Sequence, residues 1–175
     1  ANESIQTLVM HPSDSSTLYA GTSTLGLVKT VNAGESWQQL TTSGSILAFA
    51  IHPQDTDKLI ASRGNQIFLS TDGGEVWSLT FTNQTTQAIS DLQFDPLNTQ
   101  RVYASSLSGD IFVSDDSAKS WSSLQTFDDP VTSIHLHRGR PNLLMAVTTG
   151  DGVFRSTDRG LTWENVTETI QKPFD

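Results

Sequence analysis

No cysteine occurs in the 175 residues, which excludes disulfide frameworks, thiolate metal sites and cysteine nucleophiles. Basic residues are scarce: ten Lys and Arg face nineteen Asp and Glu, for a formal charge of -9. That sign is wrong for gripping a phosphate backbone or an anionic lipid surface, so nucleic acid is not an expected partner. No apolar run approaches the roughly 18 residues of a membrane-crossing helix, and membrane insertion is not expected. Glutamate is scarce too, with 5 Glu against 14 Asp. Asp, Ser and Thr are turn and strand chemistry, whereas helices favour Glu. No window sustains apolar residues at helical spacing, and short apolar runs recur between Gly, Asn, Asp and Pro. The length fits a single domain, residues 1–175, and the fold class is all-β.

All four tryptophans close the same local phrase. It reads Thr30-Val-Asn32-Ala-Gly34-Glu-Ser36-Trp37, Ser70-Thr-Asp72-Gly-Gly74-Glu-Val76-Trp77, Ser114-Asp-Asp116-Ser-Ala118-Lys-Ser120-Trp121 and Ser156-Thr-Asp158-Arg-Gly160-Leu-Thr162-Trp163. Aligning on the tryptophans brings out a first strand around Leu8–Met10, Phe49–Ile51, Leu92–Phe94 and Ile134–Leu136. Second and third strands follow in each unit, and the fourth begins at the tryptophan. Four short strands in about 42 residues match one blade of a β-propeller. The repeats span about 5–40, 46–79, 89–124 and 131–166, giving four-stranded antiparallel blades in a closed four-bladed ring or in part of a larger one. Alternate large side chains of the first strands, Leu8 and Met10 or Phe49 and Ile51, should fill the space between blades.

The eight-residue phrase resembles the Asp-box, or BNR repeat, of sialidases, xyloglucan-degrading glycosidases, sortilin-type receptors and a photosystem II assembly factor. The resemblance implies that each box turns between a blade's third and fourth strands, its Asp accepting backbone hydrogen bonds above a packed ring. The structural set is then Asn32, Trp37, Asp72, Trp77, Asp116, Trp121, Asp158 and Trp163. Asn32 and Ala118 depart from the pattern, so boxes one and three are expected to be looser or differently capped.

The fold leaves the activity open. A residue type recurring at one register is read as structural, and a functional residue as an exception. His11 and His52 precede Pro at a register where unit three has Asp95, which is turn capping; Tyr19 and Tyr103 share a core register in the second strand. Each box offers one acid and then an aromatic, unlike a calcium loop, so neither metal nor cofactor is expected. Two sets of exceptions remain. Asp91, Gln93, Ser133 and His135 are polar positions in first strands, which line the axial channel. Arg63, Phe81, Asp110, Phe127, Asp128 and Asp129 lie in turns and long joins at the end opposite the boxes, a binding face for an exposed Phe beside carboxylates. The sequence favours a non-catalytic module that binds or assembles with a protein or a saccharide. The alternatives are the propeller portion of a glycoside hydrolase, needing two carboxylates about 5 to 9.5 Å apart, and a structural subunit of a larger complex. A homodimer, or further blades from a longer chain, would complete a ring.

Overall fold

The computed structural model describes residues 3–41 and 43–167, and the two ends of the single-domain span lie outside them. Among the described residues, sixteen strands form four separate four-stranded antiparallel sheets, each in sequence order. Blade 1 holds β1 (Ile5–Met10), β2 (Leu18–Thr22), β3 (Leu27–Thr30) and β4 (Gln38–Gln39). Blade 2 holds β5 (Phe49–Ile51), β6 (Leu59–Arg63), β7 (Gln66–Ser70) and β8 (Ser78–Thr82). Blade 3 holds β9 (Ile89–Phe94), β10 (Val102–Ser106), β11 (Asp110–Ser114) and β12 (Ser122–Thr126). Blade 4 holds β13 (Val131–Leu136), β14 (Leu144–Thr148), β15 (Val153–Ser156) and β16 (Glu164–Asn165). Among the described residues there is no α-helix, as the spacing of apolar residues anticipates.

The register is the same in every blade. Ala20, Ala61, Ala104 and Ala146 of the second strands face Val28, Phe68, Phe112 and Phe154 of the third strands. A small residue opposite a large one leaves room for the neighbouring blade. The blades pack face to face through three apolar joints. Tyr19, Leu27, Phe49 and Leu59 bury the first, Ile60, Ile67, Leu92 and Phe112 the second, and Tyr103, Ile111, Ile134 and Leu144 the third. At roughly 25 cal/mol per Å² of apolar surface removed from water, these joints carry most of the stabilisation. Strands this short would not hold alone.

The first strands stand side by side, β1 against β5, β5 against β9 and β9 against β13, and no contact of similar extent joins β13 back to β1 among the described residues. The expected burial of large first-strand side chains therefore holds for blades 2 to 4. In blade 1 it does not: Leu8 and Met10 are 60% and 58% exposed, while Phe49, Leu92 and Ile134 at the register of Leu8 are buried. The reason is geometric, since none of the described residues covers that face.

Candidate functional site

The Asp-boxes are turns whose polar groups are spent internally. In box two, Ser70 Oγ donates to Asp72 Oδ1 (2.7 Å) and accepts from Gly74 N (2.9 Å), while Asp72 Oδ1 also accepts from Val76 N (3.0 Å). Box four repeats this through Ser156, Asp158, Gly160 and Thr162, and there the Thr162 hydroxyl adds a 2.6 Å bond to Asp158 Oδ2. Such donors favour the ionised carboxylate. The Ser120 hydroxyl draws Asp116 down to about 2, and the Thr162 hydroxyl draws Asp158 down to about 2. Among the described residues no group of three or more His, Asp or Glu converges as metal ligands do.

Of the expectation that the first and third boxes are looser or differently capped, the looseness is corrected, while box three does cap differently, its Trp121 Nε1 having no acceptor among the described residues. Asn32 Oδ1 accepts from Ser36 N at 3.0 Å, and Ala118 N donates to Ser114 Oγ at 2.9 Å, so both turns close as the others do. Each box in fact needs two consecutive residues at positive φ: Ala33 and Gly34, Gly73 and Gly74, Ser117 and Ala118, Arg159 and Gly160. Side chains at such φ are strained, so hydrogen bonding and packing outweigh local backbone preference here.

The turns between first and second strands are capped at one register. His52 Nδ1 accepts from Gln54 N and Asp55 N, and Asp95 Oδ1 accepts from Leu97 N and Asn98 N. His11 and His137 accept likewise from Ser13 N and Gly139 N. Burial lowers the pKa of His52, in keeping with a neutral ring whose nitrogen accepts.

Antiparallel topology brings Arg63, Phe81, Asp110, Phe127, Asp128 and Asp129 to one end of the blades, away from the boxes. The two phenylalanines nonetheless offer no docking ring. Phe127 is buried between Phe154 and Trp163, and Phe81 is half-buried against Phe112 and Trp121. Burial against the next blade removes more apolar surface from water than exposure would allow. Asp110 accepts from the Ser108 and Thr126 hydroxyls at 2.6 and 2.8 Å. Arg63 and Asp128 are exposed and Asp129 half-buried beside Gly150, where a Cβ would lie 2.3 Å from Asp129 Oδ2.

Of the axial set, Asp91 is tied down. Its Oδ2 accepts from Ile134 N of the next blade at 2.9 Å, its Oδ1 from Leu92 N at 2.8 Å, and Gln93 reaches it at 3.3 Å. Burial raises its pKa against those donors. Ser133 is half-buried and His135 exposed. The first strands border an axial concavity of about 450 Å³ to which Val9, Ile51, Asp91, Gln93, Leu136 and Arg138 contribute. Val9, Leu136 and Arg138 stand outside the axial set read from the sequence; they occupy three different registers, equivalent to Gln93, Phe94 and Pro96 of the third unit, so no single repeat position marks them.

Comparison with known proteins follows the same lines. The Sortilin-Vps10 family, described as "Sortilin, neurotensin receptor 3", matches residues 65–174. No curated protein matches the chain. Among solved structures, an ancestral GH74 enzyme superposes with a TM-score of 0.80 at 24% identity, over 93% of this chain and 24% of that one. The GH74 enzyme of Niastella koreensis gives 0.59 at 16% identity, and the GH74 xyloglucanase of Xanthomonas campestris 0.60 at 15%. Each of these two matches covers 91% of this chain and 38% of the other. The chain thus spans between about a quarter and two fifths of the length of those structures, and the likeness establishes a common propeller fold.

Proposed function

The chain belongs to the Sortilin-Vps10 family, and from that premise we propose that it is a non-catalytic binding module that receives a protein partner in its axial concavity. The observation that carries this reading is the use of the axial acid and of one loop acid: Asp91 fastens two blades and Asp110 is held between two hydroxyls. A general acid or nucleophile needs a carboxylate turned toward substrate rather than committed to the scaffold. A saccharide is the weaker choice of partner, because Phe81 and Phe127 are packed inward. The concavity presents apolar Val9, Ile51 and Leu136 with Arg138 at its edge, a surface suited to side chains of a protein.

The test uses a photo-crosslinking residue at Gln93 in the concavity and at the exposed Leu97 as a control. Protein adducts formed from position 93 and absent from position 97 support the module. Release of reducing ends from xyloglucan, abolished by Asp128→Asn or Asp129→Asn, would replace it with the glycoside hydrolase reading.

A further inference from the structure

We infer that the joint between blades 1 and 2 is a binding seat for a small neutral aromatic molecule of phenyl to indole size. The three joints differ in the ring that fills them. At the second, the Phe81 ring enters from blade 2 and lies 4.7 Å from Phe112 and 6.1 Å from Trp121 of blade 3. At the third, Phe127 lies 4.6 Å from Phe154 and 5.6 Å from Trp163 of blade 4. Each seat is thus made by a third-strand Phe and a box Trp of the following blade. Blade 2 has the same pair, Phe68 and Trp77.

The ring to fill that seat is missing from blade 1. Val28 pairs with Gln39 as Phe68 pairs with Leu79, so Thr41 occupies the register of Phe81. Thr41 uses its hydroxyl to accept from Leu27 N at 2.9 Å. Between Phe68 and Trp77 lies a cavity of about 320 Å³, whose apolar wall is completed by Leu40, Ile46 and Ala61. Ile46 and Ala61 are buried, which makes the floor apolar. Arg63, standing where the other blades carry the buried hydroxyls of Thr22, Ser106 and Thr148, spreads over Phe68 with its guanidinium carbon 5.0 Å from the ring centroid. Glu75 also lines the cavity, so its charged rim is balanced and favours a neutral ring.

The size fits the class of ligand. An apolar cavity of about 150 Å³ takes benzene, and this one has room for a bicyclic ring. Aromatic pairs prefer centroids about 4.5–7 Å apart in tilted or edge arrangements, the geometry that both filled seats already show.

Indole is the probe, titrated into the whole chain by calorimetry with methyl NMR in parallel. Saturable 1:1 binding that shifts the Ile46 and Ala61 methyls is expected, weakened at least about tenfold by Thr41→Phe, which places a ring in the seat. Ala61→Leu narrows the floor and should weaken it in the same direction, which serves should Thr41→Phe fail to fold. Absence of saturable binding, unchanged affinity in both variants, or methyl shifts confined to other joints would overturn the assignment. N-acetyltryptophanamide binding as tightly as indole would also overturn it, moving the seat to a partner's side chain. Crosslinking from Gln93 reports on the axial concavity separately, so failure here is distinguishable from failure of the proposed function.

Discussion

Ala118→Gly is expected to stabilise the protein. Ala118 stands where boxes one, two and four have Gly34, Gly74 and Gly160 at φ of 94°, 99° and 89°, and its own φ is 67°. A Cβ at positive φ costs roughly 1–2 kcal/mol. The narrower angle has a second consequence. Trp77 and Trp163 each donate Nε1–H to the carbonyl of the box glycine at 3.0 Å, whereas Trp121 Nε1 is buried with no acceptor among the described residues. Opening φ toward 90° should bring the residue 118 carbonyl under the indole and restore a bond worth about 0.5–1.5 kcal/mol. Against this stand a buried methyl, about 0.8 kcal/mol, and the unfolded-state freedom of glycine, about 0.5–1 kcal/mol. The net is a gain of about 1 kcal/mol, or a rise in Tm of roughly 2–4 °C for a domain of this size. Urea and thermal unfolding followed by circular dichroism measure it. Gly160→Ala is the reciprocal control, since its methyl would meet Leu124 Cδ2 at 2.7 Å at a φ of 89° and should destabilise. A fall in Tm for Ala118→Gly would show that the methyl outweighs strain and hydrogen bond together, and the account of box three would be wrong.

Trp163→Ala should cost about 3 kcal/mol through loss of the Phe127 contact and the bond to Gly160, while Trp37→Ala, at a ring 44% exposed, should cost less than about 1 kcal/mol; denaturant midpoints compare them. Asp91→Ala leaves Ile134 N without its acceptor and should destabilise by about 1–3 kcal/mol in the same assay. Glu3, Asp116 and Asp158 all titrate near 2 in the folded chain against 4.5, 3.8 and 3.8 ordinarily, so their stabilisation is fully present above about pH 5 and lost as pH falls through about 2. Asp91, raised by burial, acts in the opposite sense; unfolding followed from pH 6 to 2 should still show a net fall, and a flat profile would refute the box hydrogen bonding. EDTA should leave Tm unchanged, and a drop restored by calcium would show that the box acids bind metal after all.

Much of this architecture is readable from periodicity. The boxes, the sixteen strands and the turn-capping His52 and Asp95 each occupy a repeated register, and a repeat makes local chemistry visible four times over. What stays hidden is how side chains cross between units. Phe81 and Phe127 read as loop phenylalanines because they stand four and six residues after their tryptophans, at different registers. Both nevertheless reach equivalent seats in the next blade. A bulge in the third-to-fourth strand pairing at Ile67/Phe68 and at Ile111/Phe112 precedes each approach, and no spacing rule marks where the ring will land. The same holds for Asp91, whose acceptor role depends on Ile134 N, 43 residues away. The strain at Ala118 is hidden for a different reason: an alanine in a glycine position signals a departure but not whether the backbone yields or the side chain endures it.

The repeat also separates what the scaffold requires from what it tolerates. A feature needed for blade stacking should recur at every joint, and the third-strand residue beside a box tryptophan does, as Phe68, Phe112 and Phe154 in the three blades that follow another. In blade 1 that register holds the smaller Val28, and Trp37 beside it is exposed. Large aromatic pairs are thus present where a preceding blade supplies cover and reduced in blade 1, whose outer face none of the described residues covers, which agrees with the pair being a receiver for the neighbouring blade. The first joint departs from this rule in one respect: its receiver is complete while the donor strand offers Thr41. A threonine with its hydroxyl bonded to Leu27 N and a second at the same register in blade 4, Thr167 on Val153 N, show that this alternative closes the strand end competently without a ring. The fold therefore does not demand that the seat be filled from within, and the joint can keep Phe68 and Trp77 together around an accessible cavity at no cost to the strand pairing.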